Sequence, residues 1–410
     1  VALIVGINSG SSADGVDAVL AEISMADDGQ PNRPKYLDGV SIEWPERVAE
    51  YIWRGFAGEL TMVEVARLNY IIGAVFAEVT MQLLEKTDVR SHDVDVVGVD
   101  GQQLFLQQPD HHKIAGLRDA GLDGVWSERW LDDRYAFGLQ IGDGALLANL
   151  TDITCVTNFR HADHALGGNG APLMQYLDYI YFRGEGHPVL TLNIGGIANV
   201  HRADSDRRRM IAFDTGPGNI MIDYLAKSRF GKPYDANGEI AARGVVNDEV
   251  MQELLSHPYF QRRLPRSAWR SDFDEAYADR IAAAFPQVSD EDLMRTFAAF
   301  TAECIVRNLL ANVPDAAEIP EMVGSGGGVR NLTMMQEIQA RLPHGMRLVT
   351  SDSHGIPPQF KEALKFATLA YGAINFSANN IPAASHALAP AILGKISYAP
   401  RYARGTENAL

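Results

Sequence analysis

The chain has 410 residues, 46% of them hydrophobic and 21% charged, which is enough apolar material for two cored domains and excludes a disordered chain. Its formal net charge of −16 repels nucleic acid and anionic membrane, so a phosphate-bearing small molecule held locally by N–H groups and a cation is the expected partner. Two cysteines, Cys155 and Cys304, form no disulfide framework and no Cys/His zinc pattern; with no basic leader and no run near eighteen apolar residues, a cytoplasmic setting is expected.

The first twenty residues, VALIVGINSGSSADGVDAVL, are a short apolar strand breaking into a glycine- and hydroxyl-rich turn, then a returning strand. Gly6, Gly10 and Gly15 are expected to supply positive-φ geometry for a close backbone approach to an anion, Ser9, Ser11 and Ser12 add hydroxyls, and Asp14 and Asp17 reach phosphate only through Mg²⁺. An ordinary β-hairpin explains the same residues equally well. Neither the Walker pattern nor a Rossmann glycine fingerprint is present, which leaves a nicotinamide enzyme little support.

A third strand, KYLDGVSIEW, precedes a helical stretch from about Pro45 to Lys86, and a strand from Val94 to Asp100 ends in a polar turn. Residues 107–135 read as a long loop or helical insertion whose His111, His112, Trp126 and Trp130 either line a sugar site or pack the insertion down. A second unit follows, with a helix from about Gly144 to Leu150, the strand ITCVTNF, and a hairpin whose tip is Asp204 to Arg209. Helical segments occupy Ile220 to Leu310; then come a strand running into GSGGGVRN, the strand MRLVTS and a last long helix over about 358–380. A glycine turn between strands in each half predicts two related α/β lobes around a cleft, divided as 1–135 and 136–410, with the last helix able to pack back on the first lobe.

Asp163 follows a strand beside Arg160, and reads either as a general base held anionic by that arginine or as the N-cap of a short helix. His161 and His164 lack metal spacing. In NIGGIAN, Asn193, Gly195 and Gly196 can cradle phosphate; in DTGPGN, Asp214, Gly216, Gly218 and Asn219 can do so with Asp214 orienting Mg²⁺ or water; both strings also suit plain tight turns. Gly326, Gly327, Gly328 and Asn331 can lay a nucleoside against backbone or simply join strand to helix. Glu362 can reach a sugar hydroxyl or complement a helix dipole, and Arg207 to Arg209 read as a solvated turn.

Taken together, SGSSADGVD, LQIGDGALLA, FRHADHALGGNGAPL, LNIGGIANV, FDTGPGN, GGGVRN and GIPPQFKEALKFA, in this order over nearly the whole chain, resemble the anhydro-N-acetylmuramic acid kinase family of the sugar kinase, Hsp70 and actin class. The resemblance implies a two-lobed, ribonuclease H-like, actin-like ATPase fold with an interdomain cleft. It implies ATP with Mg²⁺ (Asp14 and Asp214 on the metal side), a phosphate loop at Gly10 to Asp17, and a homodimer. The expected reaction opens a 1,6-anhydro ring with water activated by Asp163 and transfers the γ-phosphate to O6, with Asp100, Gln102 and Glu362 on the sugar. Where the family has His-Gly-Gln-Thr this chain has Asp100, Gly101, Gln102 and Gln103, and Asn158 replaces an aspartate; these departures bear on which sugar is bound, so levoglucosan stands as the alternative substrate. A non-catalytic ATP-binding protein of the same fold is the alternative class.

Overall fold

The run of Leu, Ile and Val after the first residue has no helical spacing, and it forms the middle of a sheet. In this computed structural model, which describes residues 1–10, 15–107, 127–131, 135–262, 268 and 272–402, β1 (Ala2–Asn8) pairs antiparallel with β2 (Val16–Ile23), and β2 with β3 (Lys35–Ile42). β4 (Val96–Val99) lies parallel to β1. β5 (Gln102–Gln107) and β6 (Phe137–Ile141) leave the sheet as a separate two-stranded ribbon, where the sequence reading had only a polar turn. β7 (Cys155–Thr157) returns parallel to β4, and a late strand, Lys395–Ser397, closes that edge.

The second sheet repeats the plan. β8 (Val189–Ile194), β9 (Ile197–Ala203) and β10 (Ile211–Pro217) are an antiparallel meander, and β11 (Glu321–Ser325) and β12 (Arg347–Thr350) add on the β8 side in parallel. Each sheet therefore contains a three-stranded antiparallel meander followed by two parallel strands, to which the first sheet adds Lys395–Ser397 antiparallel at its edge, and the two-lobed α/β architecture expected from the sequence is present.

The division between the lobes is not at 135/136. One unit is Val1–Tyr181 with Glu362–Leu410 and the other is Phe182–Lys361. The reason is pairing: β6 is laddered to β5, and β7 to β4, so residues just past 135 complete the first unit instead of opening the second.

In the first unit, helix α1 (Glu46–Phe56) stops and α2 (Met62–Thr87) restarts at Thr61, whose hydroxyl accepts from Glu64 N–H while the Glu64 carboxylate accepts from Thr61 N–H. That reciprocal cap splits what the periodicity reads as one helix. α2 buries Leu68, Ile72 and Phe76 against Val5, Ile7 and Val97. In the second unit the helix Asp290–Asn312 buries Phe297, Phe300 and Ile305 with Leu192, Val200 and Met322. Among the described residues no helix is long and apolar enough to cross a membrane.

The last long helix, Lys361–Ile374, lies directly on β1 and β4. A Cβ on Gly6 would sit 2.1 Å from the Ala363 carbonyl oxygen, and one on Gly98 would sit 2.2 Å from that of Phe366. Gly6 and Gly15 do not have the expected positive φ; both are glycine for space, Gly15 against the Ile42 carbonyl at 2.5 Å. Gly98→Ala should therefore cost about 1–3 kcal/mol by overpacking. Gly184→Ala, in open space, should stay within about 0.5 kcal/mol of wild type. Urea unfolding of the two variants checks both values, and equal midpoints would refute the seat.

Candidate functional site

Three adjacent parallel strands of the first unit, β1, β4 and β7, end on the same edge, the position where α/β sheets collect ligands. β1 delivers Ser9 and Gly10, β4 delivers Asp100 to Gln102, and β7 delivers Asn158 to Asp163. The Gly10 carbonyl accepts from Gln102 Nε2 at 3.4 Å. Ser9 Oγ and Gln102 Oε1 are buried with no protein partner among the described residues. Ser11, Ser12 and Asp14, and with them His111, His112 and Trp126, lie outside the described residues. Asp17 sits in β2, where its carboxylate accepts from Ser41 Oγ. Trp130 donates from Nε1 to the Ala136 carbonyl at 3.2 Å and packs beside Tyr135, which is the packing role.

Arg160 does not serve Asp163 in the way its neighbourhood in sequence suggests. Its Nε donates to Asp100 at 2.7 Å, its Nη1 to the Gly170 carbonyl at 2.8 Å, and Asp100 also accepts from Phe159 N–H at 2.9 Å. The pair ties the end of β4 to the end of β7, and Arg160 acts on Asp163 only through its charge.

Asp163 is the third residue of the five-residue helix His161–Ala165 and is 1% exposed, so it is not an N-cap. Its Oδ2 accepts from Gly170 N–H at 2.8 Å; its Oδ1 accepts from Ser385 Oγ at 2.8 Å and from Asn380 Nδ2 at 3.0 Å. Burial raises its pKa, and these three donors pull it back. Gly168 is glycine because a Cβ there would lie 2.2 Å from Oδ2. Beside Asp163 is a pocket with room for about one water. It is also lined by Gln175, whose Nε2 is buried with no protein partner among the described residues. His161 and His164 have pKa values lowered by burial, His164 to about 4, and stay neutral. Among the described residues no group of three or more His, Cys, Asp and Glu side chains comes together to hold a metal.

Glu362, in the first turn of the last long helix, lies 3.6 Å from Lys365 Nζ. Lys365 is buried, and its pKa is lowered by that burial against the pull of Glu362 and Asp100. The sequence reading missed Lys365, Gln175, Asn380 and Ser385. The signal available for the last two was a run of polar residues, Asn379, Asn380 and Ser385, in an otherwise apolar stretch.

In the second unit the three glycine strings meet at one end of the sheet. Gly218 N–H donates to the Gly196 carbonyl at 2.8 Å and Asn219 N–H to the Gly195 carbonyl at 2.8 Å. Cβ atoms on Gly326 and Gly328 would meet Asn193 Oδ1 and Asn219 Nδ2 at 2.8 and 3.1 Å. Asn331 caps the helix Leu332–Arg341, accepting from Met334 N–H. Packing or backbone explains Gly216 (φ 135°), Gly218, Gly326 (φ 83°) and Gly328. A Cβ on Gly195 or Gly196 would make only ordinary contacts, at 3.6 Å to the Ile197 carbonyl oxygen and 3.9 Å to Ile220 Cβ, and one on Gly327 would meet nothing within 4 Å.

Asp214 Oδ2 accepts from Ala268 N–H at 2.8 Å, and burial pushes its pKa to about 7. A carboxylate with one oxygen capped by a single N–H suits Mg²⁺, which is held by one or two carboxylates together with phosphate oxygens.

Two units on one sheet plan, with a glycine-rich junction at the end of one sheet and a buried carboxylate beside the strand ends of the other, define a two-lobed α/β protein. The family model described as "Anhydro-N-acetylmuramic acid kinase" matches residues 2–399. A protein of that name from Caldanaerobacter subterraneus subsp. tengcongensis is 35% identical over 96% of both chains, and one from Clostridioides difficile is 30% identical over 97% of this chain and 98% of its own. Component A of the Acidaminococcus fermentans (R)-2-hydroxyglutaryl-CoA dehydratase aligns over 90% of this chain and 98% of its own at 12% identity with a TM-score of 0.43. The chain belongs to the anhydro-N-acetylmuramic acid kinase family and is an ATP-dependent phosphotransferase.

The Asp214 carboxyl has a testable pH signature. With its pKa raised from 3.8 to about 7, the folded chain keeps a proton that the unfolded chain releases, so this group's contribution to stability falls as pH rises through that window. In magnesium-free buffer, Asp214→Asn should match wild type near pH 4 and exceed it above pH 7 by roughly 2–4 kcal/mol in urea unfolding; a gap independent of pH would contradict it.

Proposed function

We propose that this protein phosphorylates an anhydrosugar, 1,6-anhydro-N-acetylmuramic acid in the first place, by opening its internal acetal with water and transferring the γ-phosphate of ATP to O6. The observation that carries the reading is the Asp163 carboxylate, buried beside the ends of three parallel strands and hydrogen-bonded by three donors. A merely nucleotide-holding protein has no use for such a group. Asp163 takes a proton from water, the water oxygen bonds to C1, and the C1–O6 pair of electrons stays on O6. O6 then attacks the γ-phosphorus, the bond to the bridging oxygen breaks toward ADP, and the proton on Asp163 passes to solvent.

Ser9 and Gln102, with buried polar atoms lacking protein partners among the described residues, and Asp100 with Glu362 support sugar or phosphate contacts in the first unit. Arg160 holds Asp100 in place. The Gly10 to Asp17 turn, with Ser11 and Ser12, and the junction of Asn193, Gly195, Gly196, Gly216, Gly218, Asn219 and Gly326 to Gly328 with Asn331 are the nucleotide side of the proposal. Asp14 and Asp214 would hold Mg²⁺, which supplies positive charge to the phosphates when bound. A cytoplasmic homodimer acting in cell-wall sugar recycling fits this reading.

Asp163→Asn should lower sugar-dependent ADP release by about 10²- to 10⁴-fold with the fold intact. Wild type assayed with 1,6-anhydro-N-acetylmuramic acid and with levoglucosan decides the substrate, and turnover of neither sinks the anhydrosugar reading. Gly327→Val, in open space, should leave the unfolding free energy within about 0.5 kcal/mol of wild type while raising KM for ATP several-fold; an unchanged KM would remove the junction from the nucleotide site.

A further inference from the structure

We propose that Lys365 is a specificity-determining residue whose ammonium donates to a carboxylate on the sugar, so that the first unit takes an acidic anhydrosugar in preference to a neutral one. This rests on the anhydrosugar reading and names which members of that class the site selects. The Lys365 side chain is 8% exposed, yet its ion pair with Glu362 spans 3.6 Å, longer than a hydrogen bond. Among the described residues no other carboxylate pairs with it, and no acceptor takes a hydrogen bond of ordinary length from Nζ. An ammonium has three donors, and burying it with none of them used is costly unless a ligand supplies the acceptors.

Within the protein the charge is balanced in ways that leave those donors unspent. Nζ lies over the face of Phe366, 4.2 Å from the ring centroid, an attraction that uses no acceptor. The Phe366 ring stacks on Phe159 with centroids 5.8 Å apart, and Phe159 N–H donates to Asp100 at 2.9 Å. This run of contacts sets Lys365 beside the ends of β4 and β7. The charged groups acting on it are Glu362 and Asp100, which favour its ammonium form, and Arg160, which opposes it; burial is the largest influence and lowers its pKa. Asp100 and Arg160 are engaged with each other at 2.7 Å, and Arg160 spends Nη1 on the Gly170 carbonyl. Glu362 is 37% exposed, so solvent screens its pull. Of the two cations, Lys365 is therefore the one with donors to give.

The chemistry of the site separates contacts common to all anhydrosugars from one that discriminates. Ser9 Oγ and Gln102 Oε1, buried without protein partners among the described residues, suit hydroxyl groups, which every such sugar offers. A buried ammonium calls for a formal negative charge. 1,6-Anhydro-N-acetylmuramic acid carries a carboxylic acid that is ionised at neutral pH, and levoglucosan carries only hydroxyl and ether oxygens. A phosphate of the nucleotide is the other anion within the proposed reaction, and the experiment tells the two apart.

The test is isothermal titration of wild type and Lys365→Met with 1,6-anhydro-N-acetylmuramic acid, its methyl ester, levoglucosan and a non-hydrolysable ATP analogue. Methionine keeps the length of the stem, and replacing a buried charge by an apolar side chain of similar volume is commonly neutral or stabilising. Wild type should bind the acid about ten- to hundredfold more tightly than the ester. Lys365→Met should lose that margin while binding the ester and the ATP analogue within about twofold of wild type. Equal losses for acid and ester, or a loss confined to the ATP analogue, overturn the assignment of Lys365 and leave the anhydrosugar reading standing. Wild type that binds none of the three sugars overturns both. If Lys365→Met does not fold, wild type alone decides, because equal affinity for acid and ester refutes the proposal.

Discussion

The seat of the helix Lys361–Ile374 on the glycines of β1 and β4 is the contact on which the rest of the first unit depends. Backbone meets backbone there because Gly6 and Gly98 have no side chain, and the alternative contacts at 2.1 and 2.2 Å are sterically impossible. The segment leaving this helix lies where Asn380 and Ser385 reach a carboxylate more than two hundred residues earlier. The same helix carries Glu362 and Lys365. Its placement therefore governs both the packing of the sheet and the electrostatics at the strand ends.

Those electrostatics divide labour between two aspartates. Asp100 is neutralised by a close Arg160 pair and held by a backbone N–H, an arrangement that fixes the ends of two strands and is costly to break when buried. Asp163 has no ion pair of that closeness; neutral donors hold it, so its affinity for a proton stays elevated by burial. Arg160 is thus engaged by Asp100, and Asp163 is left to the hydrogen bonds of Gly170, Asn380 and Ser385.

The glycine strings of the second unit look alike in sequence and separate into two kinds in space. Gly216, Gly218, Gly326 and Gly328 are required by positive φ or by close neighbours within the protein itself. Gly195, Gly196 and Gly327 answer to no such demand, since a side chain's first carbon would make at most ordinary contacts there.

Much of this molecule was legible in the sequence. The strands of both meanders, the hairpin tip at Asp204 to Arg209, the long final helix and the motif around Asp163 follow from periodicity and turn chemistry, which act over a few residues. The family motifs placed the chain among the kinases. The tertiary structure alone decided the lobe boundary at Tyr181, the ribbon of β5 and β6, the partner of Arg160, the burial of Lys365 and the donors to Asp163. Each of these depends on desolvation or hydrogen bonding between groups far apart along the chain, and no local preference of the backbone encodes which distant group will arrive.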